Sequence, residues 1–464
     1  MTSFREQALI HIDRNQIDQA IDQLQQHLNT NFFDWEAIHL LGTCFIDRGM
    51  NGHAAALLSH SLEIQKQATG KPWSRTLLNL GAAYRNEKRF TEAADLFRLA
   101  IDAGMETKVE EAHALSNSAG CHLAEGRFEQ SLEESNRAVE CAAPKVIPDI
   151  LFNRSFAHLA LGHWVEGWED HEAGFNTHVR SKRTYPGIPE WDGSKGKRLI
   201  VWGEQGIGDE IMFASVLPDA IRDSAKVILD CHPRLIDLMK RSFPMCDIYG
   251  TRKQMQAVSW VDEAEAEAAI SISQLCRFYR TTDQSFPGAP YLKAESAPAL
   301  RAGQSKPRIG ISWVGGTKLT NGEFRSISLE KWLPILKAVD AEWFSLQYTS
   351  DAARQACELE EKHGVTIHHW PGWVEARNYD RTATFVDSLD LVITVATSIY
   401  HLCGSLGVPV WVLASSKPSW RYTPQNELWY RQTARFFRQS GTDWAPVMAD
   451  VAAALRDVEK KNAA

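Results

Sequence analysis

Along the first third of the chain, small and large apolar positions recur in a fixed pattern. After Gly81 the residues Ala93, Phe97 and Ala100 follow at offsets of 12, 16 and 19. The same offsets from Gly42 give Ala54, Leu58 and Ser61, and from Ala119 they give Ser131, Ser135 and Ala138. A weaker copy runs from Ala8 through Ala20 to Leu24, and a last one starts near Ser155 and degrades after Gly162. The copies are spaced by 34, 39, 38 and 36 residues. This periodicity predicts pairs of antiparallel helices, with small residues where the two helices of a pair cross closely and larger ones filling the gaps. Irregular extra residues fall in turns such as Thr69-Gly70-Lys71-Pro72.

Beyond residue 197 the pattern changes to short apolar runs alternating with helical stretches. Arg198–Trp202 reads as a strand, followed by a helix from Glu210 to about Arg222, a strand at Lys226–Asp230 and a helix at Leu235–Ser242. After a break at Pro298 to Pro307 the alternation restarts. Strands are expected at Arg308–Trp313, Trp343–Gln347, Gly364–His368, Leu391–Val395 and Val408–Leu413, with a last helix near Val447–Lys460. Strand–turn–helix alternation argues for parallel sheets with right-handed crossovers, whose ligands sit at the carboxyl ends of the strands. The expected architecture is therefore α + α/β, with a helical solenoid at 1–175, a linker at 176–197, and two Rossmann-like domains at 198–300 and 301–464. The linker carries Arg180, Lys182 and Arg183 among Pro and Gly residues, and its basic cluster reads as solvated surface.

Composition narrows the function classes. At 464 residues the chain is long enough for roughly three cores. A net charge of −8 argues against nucleic acid as a partner, which calls for a basic footprint. The eight cysteines form no C-x-x-C pair, so no zinc ribbon or redox motif is visible, and free thiols in a reducing cytoplasm are expected. The first residues lack the apolar core of a signal peptide, and no apolar run approaches the ~18 residues of a membrane span. A soluble, cytoplasmic protein is expected.

Three constellations carry candidate chemistry. Gly206-x-Gly208-Asp209 follows the first strand; glycines there allow close approach of a ligand, and the helix N-terminus favours negative charge and keeps Asp209 ionised, as a general base requires. The same residues equally suit a plain N-cap. Thr397-Ser398-Ile399-Tyr400-His401 follows the strand ending at Val395, where hydroxyls and N–H groups suit a phosphate; capping plus one buried histidine is the alternative. Gly315-Gly316-Thr317-Lys318 with Arg325-Ser326 follows another strand and suits a diphosphate, or simply carries solvated loop cations. No D-x-D triplet occurs, so metal-bridged nucleotide-sugar chemistry is not indicated. His363, His368 and His369 flank a strand without an acidic partner at ligand spacing and read as structural.

The helical third resembles the tetratricopeptide repeat, whose concave face commonly binds an extended peptide. Nearly the whole chain resembles the bacterial tetratricopeptide-repeat glycosyltransferases, whose catalytic part is related to the heptosyltransferases. The resemblance is carried by Trp191-Asp192-Gly193, Glu204-Gln205-Gly206-Ile207-Gly208-Asp209, Arg325-Ser326-Ile327-Ser328-Leu329 and Ser345-Leu346-Gln347. It continues through Leu389–Ile393, Thr397-Ser398-x-x-His401-Leu402, Gly407–Trp411 and Trp420-Arg421.

The resemblance implies a metal-independent, inverting GT-B enzyme without a cofactor, the nucleotide sugar being a substrate of the second α/β domain. Asp209 falls on the position of the general base, in an active-site loop formed by Glu204, Gln205, Gly206 and Gly208. Gly316, Lys318, Arg325, Gln347, Thr397, Ser398 and His401 fall on the donor and phosphate side. The family's Val-Asp-Thr-Ser is here Val395-Ala396-Thr397-Ser398. The loss of that carboxylate fits either weakened catalysis or a different sugar; because the carboxylate would repel an acidic sugar, a CMP-linked nonulosonic acid is one expected donor, with a UDP-hexose or UDP-HexNAc left open. The expected acceptor is Ser or Thr of a protein recruited by the repeats, flagellin being the named example. A surface-glycan or lipopolysaccharide transferase and a non-catalytic scaffold are the alternatives.

Overall fold

The repeat offsets become helix contacts. The computed structural model describes residues 4–252, 254, 258–302, 305–316, 322–374 and 378–463, and the chain divides into two compact units, Met1–Leu161 and Gly162–Ala464.

The first unit consists, among the described residues, of helices α1 (Phe4–Asp13), α2 (Ile17–Leu28), α3 (Trp35–Asp47), α4 (Asn51–Thr69), α5 (Ser74–Asn86), α6 (Phe90–Asp102), α7 (Lys108–Ala124), α8 (Phe128–Cys141) and α9 (Ile147–Leu161). α1 packs on α2, α3 on α4, α5 on α6 and α7 on α8, which gives this unit the form of a tetratricopeptide-type solenoid. A Cβ on Gly81 would come within 2.8 Å of the Phe97 ring, and one on Gly42 within 2.8 Å of Leu58 Cγ. The small residue is thus required by the large one 16 positions later. The residues at all three offsets after Gly42, Gly81 and Ala119 are buried. The backbone repeats as well: Asn15, Gly49, Lys88 and Gly126 each take a positive φ, of 56°, 72°, 64° and 74°, at the turn inside a pair. Between pairs, Thr107 caps α7 by accepting from Glu110 N while Glu110 reaches back to Thr107 N.

The second unit opens with α10 (Trp164–Glu172), which the sequence had grouped with the repeats. Its indoles decide otherwise. Trp168 Nε1 donates to the Arg280 carbonyl at 2.8 Å and Trp164 Nε1 to Asp283 at 2.7 Å, so the helix is part of the α/β unit. Then follow β1 (Arg198–Trp202), α11 (Ile207–Phe213), α12 (Leu217–Asp223), β2 (Lys226–Asp230), α13 (Ile236–Ser242), β3 (Asp247–Tyr249), α14 (Trp260–Glu263), β4 (Ala268–Ser271) and α15 (Cys276–Tyr279). The four strands form a parallel sheet in the order β3-β2-β1-β4. The single helix expected from Glu210 to Arg222 is broken by a 3₁₀ turn at Ala214–Val216, ahead of Pro218 at the start of α12.

A second parallel sheet has the order β10-β9-β8-β5-β6-β7. Its elements are β5 (Arg308–Ser312), α16 (Leu333–Leu336), β6 (Glu342–Ser345), α17 (Ala352–His363), β7 (Ile367–His368), α18 (Tyr379–Asp387), β8 (Leu391–Val395), α19 (Ser398–Leu406), β9 (Val410–Ala414), β10 (Ala434–Arg438) and α20 (Ala445–Ala463). The central strands β5, β8 and β9 are almost wholly buried, as strands covered on both faces must be. Strands β3, β4 and β10 were not foreseen; they are edge or short strands with little apolar run of their own.

Candidate functional site

Both sheets end in turns that meet. β1 runs into Gly203–Gly206 and then α11; β8 runs into Ala396–Thr397 and then α19. A Cβ on Gly208 would lie 3.1 Å from Ser398 Cβ, so glycine at 208 lets the two helix starts approach each other. Asp209 sits in the first turn of α11. One carboxylate oxygen accepts from Gly206 N at 3.1 Å, the capping geometry; the other accepts from Arg421 Nε at 2.5 Å. The Arg421 side chain thus crosses from the loop after β9 to the turn after β1, and its Nη2 also donates to Gln205 Oε1 at 3.0 Å. Gln205 itself holds a left-handed φ of 56°. Arg252 Nη2 donates to its carbonyl at 3.1 Å, and its carboxamide meets His171 at 3.4 Å.

On the α19 side, Thr397 is the N-cap, accepting from Ile399 N at 3.1 Å. The Ser398 hydroxyl accepts from Tyr379 at 2.9 Å. Arg325 Nη1 donates to the Ala396 carbonyl at 3.2 Å, which places a guanidinium beside the start of α19. Gly315 lies directly under this turn, its N–H donating to Ser326 Oγ, and Gly316 takes a φ of 77°. Thr317 and Lys318 lie outside the described residues.

Two residues expected on the donor side, His401 and Gln347, are buried. His401 is 2% exposed, and its ring nitrogens each stand 3.3 Å from a tyrosine hydroxyl, Nδ1 from Tyr430 and Nε2 from Tyr422. Burial lowers its pKa to about 3, so the ring is neutral. It packs against the Tyr422 and Tyr430 rings, and its Cδ2 lies 3.3 Å from where a Cβ on Gly208 would stand. Gln347 is fully buried, and its carboxamide oxygen accepts from Ser312 Oγ, Trp313 N and Val314 N. It braces the end of β5.

The 176–197 segment is the largest departure from expectation. Arg180 is buried and forks onto Glu204, at 2.9 Å from Nε and 2.5 Å from Nη2, with Nη2 also donating to Ser273. Tyr185 is buried and donates to Asp230 at 2.9 Å, and Arg183 Nε lies 3.1 Å from the same carboxylate. Arg252 Nε lies 2.7 Å from Glu210, whose pKa burial raises to about 7. Arg180, Arg183, Tyr185, Glu204 and Arg252 line a cavity of about 860 Å³ at the carboxyl end of the first sheet, bounded by residues 179–186, Trp202–Gln205, Arg252 and α14. Sequence reasoning took the basic cluster for solvated surface because the partner carboxylates are distant in the chain; the signal available was Tyr185, a large aromatic in an otherwise Pro- and Gly-rich stretch. Glu204, assigned to the active-site loop, is the buried anchor of Arg180.

Among the described residues no group of three or more His, Cys, Asp or Glu could hold a metal ion, and no helix is long and apolar enough to cross a membrane.

No family model matches the chain. It is similar to Protein FlbA of Caulobacter vibrioides, at 28% identity over 439 residues, covering 88% of this chain and 72% of that protein. Among solved structures it is similar to MamA, at 16% identity and a TM-score of 0.32, covering 37% of this chain and 88% of that one. It is likewise similar to YrrB, described as a tetratricopeptide-repeat protein with an unusual peptide-binding site, at 14% identity and a TM-score of 0.32, covering 37% of this chain and 84% of that one.

Proposed function

We propose that this chain is a metal-independent, inverting GT-B glycosyltransferase. It moves a sugar from a nucleotide to Ser or Thr of a protein brought in by the repeat unit, with flagellin the named acceptor. The observation that carries this reading is the close approach of Gly208, next to Asp209, to Ser398 at the start of α19, where Arg325 donates to the Ala396 carbonyl. Asp209 takes the proton of the acceptor hydroxyl as its oxygen attacks the anomeric carbon. The bond from that carbon to the phosphate oxygen breaks, and the charge on the leaving diphosphate or monophosphate is met by Arg325 and the α19 N–H groups. To act so, Asp209 has to exchange its Arg421 contact for the hydroxyl.

Ala396 supports an acidic donor sugar, because it puts no carboxylate beside Arg325. A CMP-linked nonulosonic acid is therefore the donor proposed. A thermal-shift screen with CDP, CMP, UDP, GDP and ADP, without added metal, tests the reading: CMP raises the melting temperature by mass action. Asp209→Asn then abolishes transfer and leaves that shift intact. A shift with UDP alone overturns the donor assignment. No shift with any nucleotide overturns the enzyme and leaves a scaffold.

A further inference from the structure

The cavity of about 860 Å³ at the end of the first sheet is larger than one hydroxyl-bearing side chain needs, and its chemistry is unequal around the wall. Arg183 and Arg252 line it, while the carboxylates that hold them, Asp230 and Glu210, are fully buried and do not line it. Each guanidinium is fixed. Arg183 Nη1 donates to the carbonyls of Arg252 and Gln254 at 3.1 and 2.7 Å, and Arg252 Nη2 donates to Gln205 O. What remains is Arg183 Nη2 and Arg252 Nη1, which have no hydrogen-bond partner among the described residues. Two guanidiniums anchored on one side with N–H groups left over suit a carboxylate, in the charge-assisted fork geometry. Lys182 lines the same cavity and is exposed.

A second observation gives the shape of the ligand. From Ser181 to Thr184 the wall is neither helix nor strand, and its backbone N–H and C=O groups have no partners among the described residues. A row of unpaired backbone groups beside a cavity is what an extended peptide pairs with. Of the acidic residues in the lining, Glu204 is already engaged by Arg180 and Asp262 is exposed, which leaves Arg183 and Arg252 as the half-buried groups that suit a negative ligand group.

We propose that this cavity docks an extended acidic peptide, seating a Glu or Asp side chain on Arg183 and Arg252 and its backbone along residues 181–184. It rests on the transferase reading only in taking that peptide to be the acceptor: Gln205 joins the cavity to Asp209 through Arg421. The acceptor hydroxyl is then one close to an acidic residue.

The test uses the full chain and a short fluorescein-labelled serine peptide flanked by glutamates, against the same peptide with glutamines. Fluorescence anisotropy is read without sugar nucleotide. The glutamate peptide binds about tenfold tighter, and the preference disappears in the paired variant Arg252→Gln/Glu210→Gln, which removes both buried charges together. It also disappears in Lys182→Glu, which leaves the buried pairs in place and decides the matter if the paired variant fails to fold. Equal binding of the two peptides by the wild type, or a preference that survives in either folded variant, overturns the proposal. Nucleotide-induced thermal shifts are measured on the same samples, so a failed transferase reading and a failed peptide pocket give different results.

Discussion

The repeat unit and the α/β unit place their charges in opposite ways. In the repeats, ion pairs such as Arg98–Asp95, one turn apart, and Arg75–Glu106, 31 positions apart, lie on the surface. At the end of the first sheet, Arg180–Glu204 and Arg252–Glu210 are buried and draw on separate elements, and Arg421–Asp209 spans 212 positions. Exposed pairs contribute little to stability, whereas a buried pair is costly to break, because the partner left behind is an uncompensated charge. The solenoid is therefore held by apolar fit, and the α/β unit fixes its charges in order to present them.

Breaking a buried pair tests that contrast most severely. Arg180→Met leaves Glu204 unpaired and should cost about 3–5 kcal/mol in urea unfolding of the α/β unit. Arg98→Ala should leave the midpoint of the repeat unit unchanged. Recovery in Arg180→Met/Glu204→Leu would show that the loss comes from the stranded carboxylate rather than from the pair's own worth.

Each unit also buries histidine, among them His39 in the repeats and His401 with His171 in the α/β unit, and acid separates the units. His39 lies between α3 and α5 against Thr76 and Asn79, and burial lowers its pKa to about 4. His401 is lowered to about 3. Both are neutral when folded, so the unfolded chain takes up their protons first. Their stabilisation is present above about 6.5 and is lost as pH falls toward the folded values, by at most about 1.4 kcal/mol per pH unit per histidine. Hydrogen exchange read peptide by peptide between pH 7 and 4 should show His401→Gln flattening the slope in the α/β unit and leaving the slope around α3 and α5 intact. A uniform change in both units would contradict it.

The smallest effect belongs to the repeats. Thr107→Ala removes one arm of the capping box and should cost about 1 kcal/mol, seen as faster exchange at the start of α7. Unchanged protection there would mean that neighbouring helices, not the cap, hold this end.

These contrasts also explain what could be read from the chain. The solenoid was legible because Gly81 and Phe97 must fit each other at one fixed offset, and that fit recurs at Gly42 and Leu58. Strands β1, β2, β5 and β8 were legible as apolar runs ending in glycine or polar turns. The approach of Gly208 to Ser398 was half legible: both turns were singled out, but not Arg421, which pairs with Asp209. His401 was singled out without the tyrosines that enclose it, which come 21 and 29 residues later. The basic segment was misread for the same reason, since the partners that bury Arg180 and Arg183 come from β1 and β2. Pattern along the chain reveals packing between neighbours; it is blind to a charge whose counterpart lies several elements away.

Gln205 shows what this arrangement stores. A left-handed φ on a residue with a side chain costs roughly 1 kcal/mol, which glycine would avoid. Gln205 keeps that conformation with one arginine on its carbonyl and another on its carboxamide. The turn is thus a loaded spring with two catches. One catch, Arg252, belongs to the cavity, and the other, Arg421, also holds Asp209. Releasing either lowers the cost of relaxing the peptide between them, so events in the cavity have a mechanical route to the carboxylate.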